Sequence, residues 1–169
     1  MTARQVFSRH LALLVSAVLL ASTAMAQDIP AKLQPPPGAT MIGAYQAKGV
    51  QIYICATHGA ATEWTLKAPE AQLVDVKGAV FAKHYAGPTW EAVDGSKAVG
   101  KVMEMVPSPT AGAIPWLLLS TEPSGQGVLA NARFAQRVKT TGGAVQSAAC
   151  PATGAEQRIP YTAEYIFYT

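Results

Sequence analysis

Between Tyr161 and Tyr168 every second side chain is bulky or apolar: Tyr161, Ala163, Tyr165 and Phe167 fall on one side. A period of two is the repeat of a strand with one buried face. The same rhythm runs through Lys48–Cys55, with Val50, Ile52 and Ile54 on one face and Gln51, Tyr53 and Cys55 on the other. Trp64–Lys67 alternates as well, and Pro69 is expected to end it. Leu73–Val76 and Ala79–Tyr85 flank Lys77-Gly78, a tight-turn signal. Thr89–Val93 and Lys97–Met105 flank Asp94-Gly95-Ser96, the strongest hairpin signal in the chain. Pro107 and Pro109 close the second of these strands. Ile114–Ser120 is an unbroken apolar run, which reads as a strand buried on both faces, with Trp116 in the core. Short strands spaced about 8–15 residues apart imply an all-β, single-domain antiparallel β-sandwich or closed β-barrel with at most short helices.

Val128–Lys139 supports two readings. As a strand it places Ala132, Phe134 and Val138 inward and Arg133, Arg137 and Lys139 outward. As a helix it gathers Val128, Leu129, Ala132, Ala135 and Val138 on one side. The turn residues Thr140-Thr141-Gly142-Gly143 that follow favour the strand.

The N-terminus has a different character. Arg4 and Arg9 precede an apolar stretch from Leu11 to Leu20, and Ala24-Met25-Ala26 supplies small residues at a cleavage site. This is the three-part pattern of a secretory signal peptide over residues 1–26. The stretch is short for a bilayer span, which takes about 20 apolar residues, and no later segment reads as one. Residues 27–40 hold Pro30, Pro35, Pro36 and Pro37, an extended lead-in to a β domain over residues 41–169. Loss of Arg4 and Arg9 lowers Lys plus Arg from 13 to 11 against 10 acidic residues, so the exported part carries a net charge of about +1. That balance offers no electrostatic footprint for nucleic acid. Cys55 and Cys150 are the only cysteines. In a periplasmic or extracellular compartment an even count favours a disulfide between them.

Several phrases together resemble one family: Trp64-Thr65-Leu66-Lys67-Ala68-Pro69-Glu70-Ala71, Lys83-His84-Tyr85-Ala86-Gly87-Pro88-Thr89-Trp90-Glu91, Asp94-Gly95-Ser96, Ile114-Pro115-Trp116-Leu117-Leu118-Leu119, Gln136-Arg137-Val138, Thr141-Gly142-Gly143 and Pro160–Tyr165. The family is a secreted bacterial and fungal one catalogued as domain of unknown function 3455. The resemblance implies export and a cysteine pair matching Cys55 and Cys150. It implies no activity, although some fungal relatives carry the label malate dehydrogenase. That label is not supported by the residues. A dinucleotide fold needs a βαβ unit, a Gly-rich turn opening a helix, and an acid about 20 residues on. Gly125-Gln126-Gly127-Val128-Leu129-Ala130 is the sole match, and no acid lies between Asn131 and Ala155.

The densest polar constellation is His84, Tyr85, Trp90, Glu91, Asp94, Ser96 and Lys97. Pairing across Asp94-Gly95 would bring Glu91 near Lys97. These residues are the candidate ligand-binding set: an acid or base, an aromatic platform and a hydroxyl. The same residues also suit a turn, a core tryptophan and a surface ion pair. No catalytic residue is assigned. No metal site is expected, because His58 and His84 are the only histidines after the leader and lie far apart in sequence. No cofactor motif is present. Trp64, Trp90, Trp116, Tyr161, Tyr165 and Tyr168 are the other lead, with Tyr168 expected to be exposed. The first functional expectation is an exported, non-catalytic module for a small-molecule, glycan or envelope-partner ligand. The second is a small extracytoplasmic enzyme with His84 and Glu91 as its acid/base pair. The oligomeric state is not encoded in any motif.

Overall fold

The computed structural model describes residues 28–169, so the leader pattern lies outside the described residues. Eight strands follow one another: β1 (Met41–His58), β2 (Ala61–Val74), β3 (Val80–Tyr85), β4 (Thr89–Ala92), β5 (Lys97–Val106), β6 (Trp116–Ser124), β7 (Phe134–Gly142) and β8 (Glu156–Tyr168). Each is antiparallel to the next, and β8 pairs back onto β1, so the sheet closes into a barrel. Of the two all-β architectures expected, the chain adopts the barrel. Closure leaves no sheet edge. Among the described residues the one helical element is a 3-10 turn, Ala31–Leu33.

Local chemistry sets the turns. Asp75 Oδ1 accepts from the backbone N–H groups of Lys77 (2.8 Å) and Ala79 (2.9 Å), and Gly78 takes the left-handed backbone the turn requires. Pro69 does not end a strand, contrary to expectation; β2 runs through it. The reason is the neighbour: β3 pairs with β2 only over Ala71–Val74, so the β3 side of Pro69 has no ladder to break.

The interior is one apolar cluster that includes Leu73, Phe81, Trp90, Leu119, Leu129 and Phe167. Tyr161, Ala163, Tyr165 and Phe167 all belong to it, as the alternation of β8 predicts. Its lower part is a floor of stacked and tilted rings. Tyr45 lies on Phe81 with centroids 3.5 Å apart, and Trp90 meets Phe167 edge-on at 5.4 Å. Leu129 and Ala132, from the loop between β6 and β7, complete that floor.

A second cluster lies outside the barrel wall. Leu33 of the lead-in covers Trp116, Leu118, Val138 and Ile166, with Phe134 and Tyr168 packed against them. This explains why β6 is apolar on both faces: Leu117 and Leu119 point in, while Trp116 and Leu118 lie under the lead-in. Trp116 is therefore core, but of the outer layer. The lead-in is latched by Gln136, whose Nε2 donates to the Leu33 carbonyl at 2.6 Å and whose Oε1 accepts from the Tyr168 hydroxyl at 2.6 Å. Tyr168 is thus partly buried, not exposed, because it serves this latch.

Strand β7 starts later than expected and runs to Gly142, through the residues read as a turn. Its facing is also reversed. Phe134 and Val138 point outward beneath the lead-in, while Ala135 and Arg137 point inward. The expectation took the polar side of the strand for the outside, and here an outer apolar layer inverts that rule. A bulge between Val138 and Thr141 lets Lys139 adopt φ 50° and turns the Thr140 hydroxyl onto the Ile114 carbonyl at 2.6 Å.

Candidate functional site

Strands β3 and β4 are much shorter than their neighbours β2 and β5. The barrel rim is therefore notched above the β3–β4 turn, where Gly87 and Pro88 sit. A cavity of about 410 Å³ opens there, bounded by residues of all eight strands and of the β3–β4 turn. Its wall is largely apolar, with Leu66, Val102, Met105, Ile114, Leu117 and Leu119. Polar groups are few: Gln51, Tyr53, Lys67, His84, Trp90, Arg137 and Tyr165.

His84 and Trp90 are register partners on β3 and β4 and stack with centroids 4.7 Å apart. Tyr165 meets both rings edge-on. His84 Nδ1 is 2.9 Å from the Thr89 carbonyl, an acceptor, so this nitrogen carries the proton and Nε2 keeps a lone pair. Burial lowers the His84 pKa to about 4, and the Arg137 charge acts in the same direction against the Thr89 bond. At neutral pH the ring is uncharged. Arg137 donates through Nε and Nη2 to the Pro115 carbonyl at 3.1 and 3.0 Å. Its Nη1 edge has no partner, and no carboxylate pairs with it, among the described residues. The Trp90 indole N–H is buried without an acceptor among the described residues, and the buried Gln51 side chain lies against the Tyr161 hydroxyl.

The expected constellation is split by the sheet. His84 and Trp90 line the cavity, whereas Tyr85, Glu91 and Lys97 lie on the outer surface. There the Tyr85 hydroxyl donates to Glu91 Oε2 at 2.8 Å, and Lys97 Nζ lies 3.5 Å from the same oxygen. The Tyr85 bond and then Lys97 hold the Glu91 carboxyl below the usual range. Glu91 does come near Lys97, as the hairpin predicts. It does not meet His84, since adjacent residues on a strand face opposite ways: His84 pairs with Trp90 and Glu91 with Lys83. An acid/base pair from His84 and Glu91 has no shared space.

Asp94 and Ser96 are structural. Asp94 Oδ1 accepts from the Ser96 N–H (2.9 Å) and hydroxyl (2.6 Å), and Oδ2 accepts from the Val128 N–H at 2.8 Å. Ser96 Oγ in turn accepts from the Leu129 N–H at 3.1 Å. This clasp holds the β6–β7 loop against the base of the barrel. It also accounts for the Gly-x-Gly of that loop. Gly127 has φ 140°, and a Cβ there would collide with the Asp94 carboxylate. Gly127→Ala is expected to cost about 1–3 kcal/mol, the usual range for such strain. Equilibrium urea unfolding checks this, and a variant as stable as the parent would rule out the clasp.

The matching part of the chain is residues 35–169, which fit the family model described as Protein of unknown function (DUF3455). The chain belongs to this family. No curated protein and no solved structure matches it. For this member of the family the barrel is the fold, and Cys55 and Cys150 form a disulfide that ties β1 to the loop between β7 and β8. The loop is further laced to the β1–β2 hairpin: Cys55 N–H donates to Ala155 O (2.8 Å), Trp64 N–H to Ala148 O (2.9 Å) and Thr62 Oγ1 to Cys150 O (2.9 Å). Among the described residues there is no cluster of three metal-ligating side chains, and no helix is long and apolar enough to cross a membrane.

Gln51, Tyr53 and Arg137 escaped the sequence reading of the site. Gln51 and Tyr53 carried a signal, since they occupy the face of β1 that turned inward. Arg137 carried none, because a strand cation reads as solvated until an outer layer covers its neighbours.

Proposed function

We propose that this protein is an exported, non-catalytic carrier of a small, largely apolar molecule held inside the barrel. Eight-stranded barrels have interiors that are either filled or fitted to one small ligand, and about 410 Å³ lies in the range of ligand sites. The observation that carries the reading is the wall itself: apolar over most of its area, with only a few polar groups among its lining residues. A glycan would demand many more polar partners than this wall presents. Export is supported by the leader pattern and by the disulfide.

The test uses N-phenyl-1-naphthylamine, a neutral dye that brightens in apolar sites. Saturable one-to-one binding is expected. Val102→Trp, which places an indole in the cavity wall beside its strand partner Leu119, is expected to abolish binding while leaving the far-UV circular dichroism and thermal midpoint unchanged. Undiminished binding in that variant, or no binding in the parent, would overturn the proposal.

A further inference from the structure

We infer that the molecule bound in the barrel is an organic anion, an apolar body bearing one carboxylate or similar acidic head, received by Arg137. This rests on the reading of the cavity as a ligand site. Two considerations lead to it.

The first is charge. No aspartate or glutamate lines the cavity, while two cations, Lys67 and Arg137, do. Lys67 is engaged by Glu156. Arg137 is half-buried and has no carboxylate within ion-pair distance among the described residues. Buried and partly buried charges are ordinarily paired, because desolvation is otherwise uncompensated. The two bonds to the Pro115 carbonyl fix the guanidinium plane and leave the Nη1 edge free for an acceptor.

The second is what any other ligand class would meet there. A ligand cation would face Arg137 with no carboxylate to offset the repulsion. A neutral ligand would leave the guanidinium charge unmatched.

The test compares three probes of one shape by isothermal titration: 1-naphthaleneacetate, 1-naphthaleneacetamide and 2-(1-naphthyl)ethylammonium. The acetate is expected to bind at least ten-fold more tightly than the amide, with no measurable binding of the ammonium. Arg137→Gln is expected to bring the acetate down to the level of the amide and to leave the amide unchanged. Arg137→Lys, which keeps the charge and loses the fixed guanidinium plane, is expected to retain part of the preference for the acetate over the amide. Should Arg137→Gln not fold, Arg137→Lys and the three probes on the parent carry the comparison. An amide that binds as tightly as the acetate overturns the anion inference and leaves the cavity reading intact. Binding of the neutral dye with none of the three probes does the same. Failure of every probe, the dye included, overturns both.

Discussion

Replacing Cys55 and Cys150 together by alanine is expected to lower the free energy of unfolding by about 4 kcal/mol. The two residues are 95 apart in sequence, so the bond removes much of the freedom of the unfolded chain. In the chain-entropy view, a loop of that length corresponds to roughly 4–5 kcal/mol, and residual structure in the unfolded state reduces it. The folded state loses little by comparison. The β7–β8 loop keeps its backbone bonds to the β1–β2 hairpin, and Glu63 still bridges to Ala149. For a chain of this size the thermal midpoint should fall by roughly 8–16 °C. Calorimetry of the double variant beside the oxidised parent measures it. A shift of only a degree or two would mean that the unfolded chain is already compact around these strands.

Acid is expected to destabilise the fold by about 3 kcal/mol through His84 alone. Its folded pKa is lowered to about 4, chiefly by burial, against 6.5 for an ordinary histidine. Above pH 6.5 the ring is neutral in both states and contributes no pH dependence. Between 6.5 and 4 the unfolded chain takes up a proton that the folded barrel refuses, so unfolding binds protons and acid favours it. Below 4 both states are charged and the loss is complete. His84→Gln keeps a donor for the Thr89 carbonyl and does not titrate. Urea unfolding at several pH values should show the parent losing about 3 kcal/mol more than the variant across this window, the carboxylates contributing equally to both. Parallel profiles would place the acid sensitivity elsewhere.

Both effects bear on how much the sequence disclosed. The strands were legible because barrels are built from local antiparallel pairs. Alternation in β8 and the Asp94-Gly95 hairpin each specify their own pairing without reference to the rest. The disulfide was legible from an even cysteine count behind a leader-like pattern. What resisted was the question of which face is inside. In β7 the covered outer layer reverses the usual rule, and it depends on Leu33, about a hundred residues earlier. The site suffered for the same reason. His84 and Glu91 are close in sequence but lie on opposite sides of the wall. Arg137 looked like one of several surface cations. Asp94 looked like a ligand group and instead anchors the floor through Val128. Pro69 looked like a terminator because its missing ladder partner is a property of a different strand's length.

The floor of rings beneath Trp90 makes the barrel a blind cup and not a conduit. Whatever enters through the notch must leave by the same path. Loading and unloading then cross one barrier in opposite directions. A substitution that narrows the lip without touching a bound molecule would slow both journeys by the same factor. Occupancy at equilibrium would be untouched, and only the time needed to reach it would change.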